Sequence, residues 1–143
     1  MRVLVDTSVW SLALRRRQCD LNARENLLVG RLTELVQEGR AGIIGLIRQE
    51  LLSGIKSSTQ FENLRKTLRA FSDEPVGTED HEAAARASNA CRVKGIAATA
   101  TDMLICAVAH RRGMSIFTID PDFDRYAHCL PVNLHPARDD AGD

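Results

Sequence analysis

Short apolar runs alternate with longer stretches in which apolar residues recur every three or four positions, and this alternation runs the length of the chain. Residues 2–5 show no polar alternation, so they predict a strand buried on both faces, as a parallel sheet requires. A short helix follows over 8–16, then a connector at 19–21. Over 22–38, Leu28, Leu32, Leu35 and Val36 share one helical face, and Gly39 supplies a left-handed stop. Residues 41–45 predict the second strand, and the helix after it carries Arg48, Glu50, Leu51 and Leu52 and ends near Gly54. Phe61, Leu64, Leu68 and Phe71 form one stripe of a helix over 59–71, and residues 74–76 read as a short strand. Thr78 caps an alanine-rich helix that stops before Gly95, with Glu79 and Asp80 favourable in its first turn. The next helix opens at Thr99 or Thr101 and ends at Gly113. Residues 115–119 predict a further strand, and Asp120-Pro121 is an N-cap with a first-position proline for a short helix through Tyr126. Residues 131–134 predict an edge strand, and 136–143, acidic and glycine-containing, a flexible tail.

Strand–helix alternation of this kind predicts an α/β domain, a mostly parallel sheet with helices on both faces. At 143 residues the chain has the size of one domain, which buries roughly 68–70% of its unfolded surface. The longest apolar stretches, such as 103–109, have seven residues, against the ~20 that a membrane span needs. The chain enters a strand almost at once, with no basic segment leading into an apolar one. A cytoplasmic protein without a signal peptide or membrane span is therefore expected.

Cys19, Cys91, Cys106 and Cys129 form no C-x-x-C pair, and the four histidines fall in no metal-binding spacing. Cys91 and Cys106 lie in apolar helical runs and read as buried thiols. A zinc enzyme is thus disfavoured, and any metal bound by the remaining hard oxygen ligands would be Mg²⁺ or Mn²⁺. The formal net charge is zero, so basic clusters carry more information than the total. Arg111-Arg112 ends a helix and suits its dipole, whereas Arg15-Arg16-Arg17 lies close to Asp6 and is the better candidate for phosphate contacts.

In open α/β sheets, functional groups collect beyond the carboxyl ends of the strands. Four acidic residues, Asp6, Glu50, Asp102 and Asp120, fall at such points or on the helices that follow. Asp6-Thr7-Ser8 holds three good N-cap residues in a row, more than one helix start needs, and the extra hydroxyls, Ser8 among them, can orient a phosphate or a water. Glu50 is an ordinary solvent-facing helical residue by type, but Ile47, Leu51 and Leu52 place it at the edge of an apolar stripe. Asp102 enters the core at the positive end of a helix that is apolar all round over 103–109. Asp120 and Asp122 suit an N-cap and a first turn, yet they stand just past a buried strand where a catalytic cleft belongs. Two carboxylates at ~4 Å repel by roughly 4 kcal/mol at an effective dielectric of about 20. A cluster of them most simply means a divalent metal site, and hence phosphate chemistry.

Taken in order, Asp6-Thr7-Ser8-Val9-Trp10, Glu50-Leu51-Leu52-x-Gly54, Asp102-x-x-Ile105-x-Ala107-x-Ala109 and Thr118-x-Asp120-x-Asp122-Phe123 resemble the PIN-domain ribonucleases, and among them the VapC toxins of type II toxin–antitoxin pairs. The resemblance implies a PIN-like three-layer α/β/α sandwich over residues 1–135 and a metal-dependent endoribonuclease using Mg²⁺ (or Mn²⁺). RNA phosphodiesters would be hydrolysed by a metal-activated water held by the acidic cluster. It carries the acidic quartet onto Asp6, Glu50, Asp102 and Asp120, with Asp6, Asp102 and Asp120 as metal ligands, Asp122 as rival for the fourth place, and Ser8 as the supporting hydroxyl. It also implies an RNA substrate such as tRNA, a cognate VapB-type antitoxin and a homodimer. A catalytically silent PIN-like module or a non-toxin processing nuclease are the alternatives. A signalling receiver domain is disfavoured, since Asp6 has no acidic neighbour and no Lys follows Lys94.

Overall fold

The computed structural model describes residues 1–136 and is built on three short parallel strands, β1 (Val3–Val5), β2 (Ala41–Gly42) and β3 (Ser115–Phe117), in the order β2-β1-β3. β1 is central. Val3 pairs with Ala41 on one side and Ser115 on the other, and all three of its residues are fully buried. That burial on both faces is why its sequence shows no alternation. Around the sheet lie α1 (Thr7–Leu14), α2 (Ala23–Gln37), α3 (Gly45–Leu52), α4 (Ser58–Leu68), α5 (Thr78–Val93), α6 (Ala100–Arg111) and α7 (Asp122–Tyr126), in a PIN-like α/β/α arrangement. Of the tail expected over 136–143, everything past Pro136 lies outside the described residues.

The sheet is shorter than the sequence predicts. Past β2, Ile43 forms a single parallel bridge with Asp73, where a strand over 74–76 is expected. Pro75 has no N–H to give a ladder. The Pro75 carbonyl accepts from the Arg112 guanidinium, and the Asp73 carboxylate from Arg48 at 3.0 Å. The edge strand expected over 131–134 likewise reduces to one bridge, Ile116 with Leu134. Gly42 is required by close approach: a Cβ there would stand 2.8 Å from the Met114 side chain and 3.3 Å from the Val3 carbonyl oxygen.

Helix boundaries follow local chemistry. The Asn22 side chain accepts from the Glu25 N–H at 2.8 Å while Glu25 accepts from the Asn22 N–H at 3.0 Å, a capping box that starts α2. The cap of α5 is Gly77 and not Thr78 as expected: Asp80 reaches back to the Gly77 N–H at 2.9 Å, so that Thr78 is already the first helical residue. α1 stops at Leu14, so Arg15, Arg16 and Arg17 fall in the connector and not in the helix. Residues 103–109 of α6 are buried all round, as their uniform apolarity requires. No helix among the described residues is long and apolar enough to cross a membrane.

Arg111 and Arg112 do more than face the α6 dipole. Arg111 Nε and Arg112 Nη1 both donate to Asp80 Oδ1 at 2.9 Å, and Arg112 Nη2 donates to Asp80 Oδ2 at 3.0 Å. Asp80 is itself buried, so this cluster fastens the start of α5 to the end of α6.

Candidate functional site

Asp6 ends β1 and caps α1, and its carboxylate is buried, 6% exposed. Its Oδ2 accepts from Ser8 Oγ at 2.7 Å, from Thr118 Oγ1 at 2.8 Å and from the Ser8 N–H at 3.4 Å. These donors all approach one oxygen, which leaves Oδ1 without a hydrogen-bond donor among the described residues. Thr118, fully buried just past β3, also accepts from the Asp120 N–H at 3.0 Å. One threonine hydroxyl thus joins the carboxylate at the end of β1 to the chain that carries Asp120.

α7 starts at Asp122 with Pro121 as its cap residue, one position later than expected, and Asp120 braces that start, its Oδ1 accepting from the Asp122 N–H at 2.9 Å. Asp102 lies in the first turn of α6, where Thr99 Oγ1 accepts its backbone N–H at 3.1 Å. Tyr126 Oη donates to Asp102 Oδ2 at 2.7 Å. Asp102, Asp120 and Asp122 each offer a carboxylate oxygen, and the three lie within 4.8 Å of one another. Asp120 and Asp122, expected as rivals, therefore both stand beside Asp102. Glu50 is exposed on α3 and is not one of these three; its Oε1 accepts at 2.7 Å from Oγ1 of Thr7, the residue after Asp6.

Burial pushes the Asp102 carboxyl above its ordinary range. The Tyr126 and Thr99 hydrogen bonds oppose that rise, and the charges of Asp6 and Asp120 add to it. Burial and then the Asp102 carboxylate hold the Tyr126 phenol far above its ordinary range, so it remains a donor. Asp102 is thus a half-buried acid whose charge is costly unless a cation faces it. The donor set fits Mg²⁺ or Mn²⁺: the ligands are hard oxygens, spaced closely enough for one ion, with no thiolate or imidazole among them.

Thr118 stands in the sequence only as part of the family motif, with no role, and Tyr126 only as the end of a helix; the structure gives both a place in the site. A threonine two positions before Asp120 was a visible signal, since its hydroxyl can serve an aspartate turn. Tyr126 gave none, because its partner Asp102 is 24 residues away. The arginine triplet divides. Arg16 is engaged locally, pairing with Glu25 at 2.8 Å and donating to the Asp20 carbonyl at 3.2 Å. Arg15 instead lines a cavity of about 410 Å³ together with Lys56, Gln60 and Asn63. Arg17 is exposed.

The chain is an α/β/α sandwich with acidic side chains gathered past its central strands. The model of the PIN domain family matches residues 3–128, and the chain belongs to that family. Among solved structures it resembles FitAcB from Neisseria gonorrhoeae, with 20% identity, a TM-score of 0.73, and 95% of this chain and 98% of that one covered. VapBC2 from Rickettsia felis, bound to a DNA fragment from its promoter, gives 16% identity and a TM-score of 0.73 over 94% and 98% of the two chains. DNA-bound VapBC from Salmonella typhimurium gives 15% and 0.67 over 94% and 97%. At these identities the likeness is one of fold. No curated protein matches the sequence.

Proposed function

We propose that this protein is a metal-dependent endoribonuclease and the toxin of a VapBC-type toxin–antitoxin pair, acting in the cytoplasm through a domain formed by residues 1–135. The observation that carries the reading is the convergence of Asp102, Asp120 and Asp122 within 4.8 Å, with Asp6 joined to the same chain segment through Thr118. Asp6, Asp102 and Asp120 would hold Mg²⁺ (or Mn²⁺), with Asp122 as a further ligand or the replacement for Asp120. When bound, such an ion supplies an acidified water and neutralises charge on the scissile phosphate.

The chain's own groups have separate tasks. Ser8 and Thr118 hold Asp6 in place through Oδ2, which leaves its Oδ1 without a donor among the described residues. Tyr126 likewise holds Asp102 through Oδ2. Glu50, with Oε1 occupied by Thr7, has Oε2 available to take a proton from an attacking water at the exposed edge of the site. Arg15 and Arg17 would meet phosphates of an RNA such as tRNA, while Arg16 is held by Glu25.

The direct test is incubation of the purified protein with total RNA. Cleavage is expected with Mg²⁺ or Mn²⁺, none in EDTA, and recovery when metal is restored. Undiminished cleavage in metal-free buffer would refute the carboxylate–metal mechanism, and no cleavage under any metal would favour a silent binding module.

The toxin reading draws support from the FitAcB and VapBC folds that the chain resembles, the VapBC proteins being solved on DNA. A cognate VapB-type antitoxin and a homodimeric toxin follow from this reading. An Arg or Lys from the partner placed among Asp6, Asp102 and Asp120 would compensate their repulsion and exclude the metal. Expression of this protein alone is expected to arrest growth, and co-expression with the antitoxin to restore it. Normal growth at high levels of folded, active protein would leave a processing nuclease as the better reading.

A further inference from the structure

Two sulfur atoms outside the acidic site lie in contact. Cys91 Sγ, fully buried on α5, is 3.0 Å from Cys129 Sγ, which is half-buried just past α7. Nothing separates them, and a shift of about 1 Å would bring them to bonding distance. Neither belongs to a metal-ligating group among the described residues. Cys129 is also reachable from outside. It lines an open cavity of about 260 Å³ between α5, α6 and residues 130–132, where the exposed Arg86 and His110 supply a polar rim to walls that include Ala87, Ala90 and Val132.

We propose that Cys91 and Cys129 are a redox modification site, a thiol pair that a low-molecular-weight disulfide oxidises to an intramolecular bond fastening the segment after α7 to α5. The accessible Cys129 attacks first. Its sulfur, as thiolate, bonds to one sulfur of the small disulfide, whose own S–S bond breaks, and the departing thiolate takes up a proton. Cys91 then loses its proton and attacks Cys129 Sγ, expelling the second small thiolate, which is protonated in turn. Two protein thiols are oxidised, one small disulfide is reduced to two thiols, and the two protons released are the two taken up. Burial, and then the Cys129 thiol, push Cys91 up to about 12, so the second step is the slow one. An anionic disulfide suits the cavity, because Arg86 lies at its edge.

The bond would act on the fold at a defined place. The Cys129 and Leu130 N–H groups donate to the Tyr126 carbonyl at 3.0 and 2.8 Å, so a tether at Cys129 sits directly against the end of α7. It would also close a long loop of the unfolded chain, which raises the melting temperature.

The test uses the full chain with Cys19→Ser, which removes the exposed thiol. After treatment with oxidised glutathione, alkylation in denaturant and peptide mapping are expected to show Cys91 linked to Cys129, with Cys106 still free. Tm should rise by roughly 5–15 °C and return on treatment with dithiothreitol. Adding Cys129→Ser should leave Cys91 fully alkylatable and abolish the rise. Glutathione retained on Cys129 beside an unlinked Cys91, or a link from Cys91 to Cys106, would overturn the assignment. A linked peptide with unchanged Tm would overturn the fastening. None of these readouts depends on RNA cleavage, so the proposal stands or falls apart from the nuclease reading.

Discussion

Replacing Asp102 with asparagine is expected to lower RNA cleavage by at least ~100-fold while the fold survives, since loss of a metal ligand or of its immediate support typically costs tenfold to a hundredfold. The isosteric amide keeps the packing of α6. Its oxygen can still accept from Tyr126 Oη, and the cap from the Asp102 N–H to Thr99 is untouched because it uses the backbone. What disappears is a negative charge that burial, with Asp6 and Asp120 nearby, already makes unfavourable. Asp102→Asn is therefore expected to raise Tm in EDTA and to lose that advantage when Mg²⁺ is present, because the wild-type ion gains most from the intact cluster. Cleavage assays on end-labelled RNA and melting curves with and without Mg²⁺ check both parts. Wild-type cleavage by Asp102→Asn would remove Asp102 from the site.

The largest expected effect on stability lies away from that site. Asp80→Ala is expected to destabilise the protein by about 2–4 kcal/mol, less than the ~3–5 kcal/mol typical of breaking a fully buried pair, because its arginine partners are partly exposed. The substitution removes the Asp80 acceptor from four donors, Arg111 Nε, both Arg112 terminal nitrogens and the Gly77 N–H, of which Arg112 Nη2 keeps the Pro75 carbonyl. It thereby loosens both the α5 cap and the join between α5 and α6. Hydrogen bonding from Arg112 first, then from Gly77 and Arg111, holds the Asp80 carboxyl well below its ordinary range against the opposing cost of burial. Its folded pKa is thus depressed. The stabilisation is present above the ordinary aspartate value of ~4 and is lost as pH falls from there through the folded value. Urea unfolding should accordingly show the gap between wild type and Asp80→Ala narrowing as pH drops below ~4. A constant gap would show that packing, and not charge, holds the junction.

Much of this architecture was legible in the chain because it is written locally. A cap joins residues two or three positions apart, so the roles of Asp6 at α1 and Thr99 at α6 depend on backbone geometry that each short segment sets for itself. The apolar-all-round run at 103–109 foretold a buried helix, and the unalternating run at the N-terminus foretold a central parallel strand. The order of the acidic residues along that scaffold, Asp6, Glu50, Asp102 and Asp120, identified the family by resemblance.

Other features required the packed molecule. Asp120 and Asp122, rivals along the chain, both have a carboxylate oxygen within 4.8 Å of one on Asp102, a closeness that no spacing in the sequence displays. Thr118 meets Asp6 across 112 residues of chain, Tyr126 meets Asp102 across 24, Arg112 meets Asp80 across 32 and Cys91 meets Cys129 across 38. The strands expected over 74–76 and 131–134 shrank to single bridges, the first because Pro75 has no N–H and its carbonyl accepts from Arg112. By itself the sequence determined the order of the helices and the main strands and the approximate start of each helix, since these follow from neighbours along the backbone. Only the tertiary structure decided which oxygens, guanidiniums and thiols meet, because contacts between distant residues depend on how helices settle against the sheet, and no spacing along the chain encodes that distance.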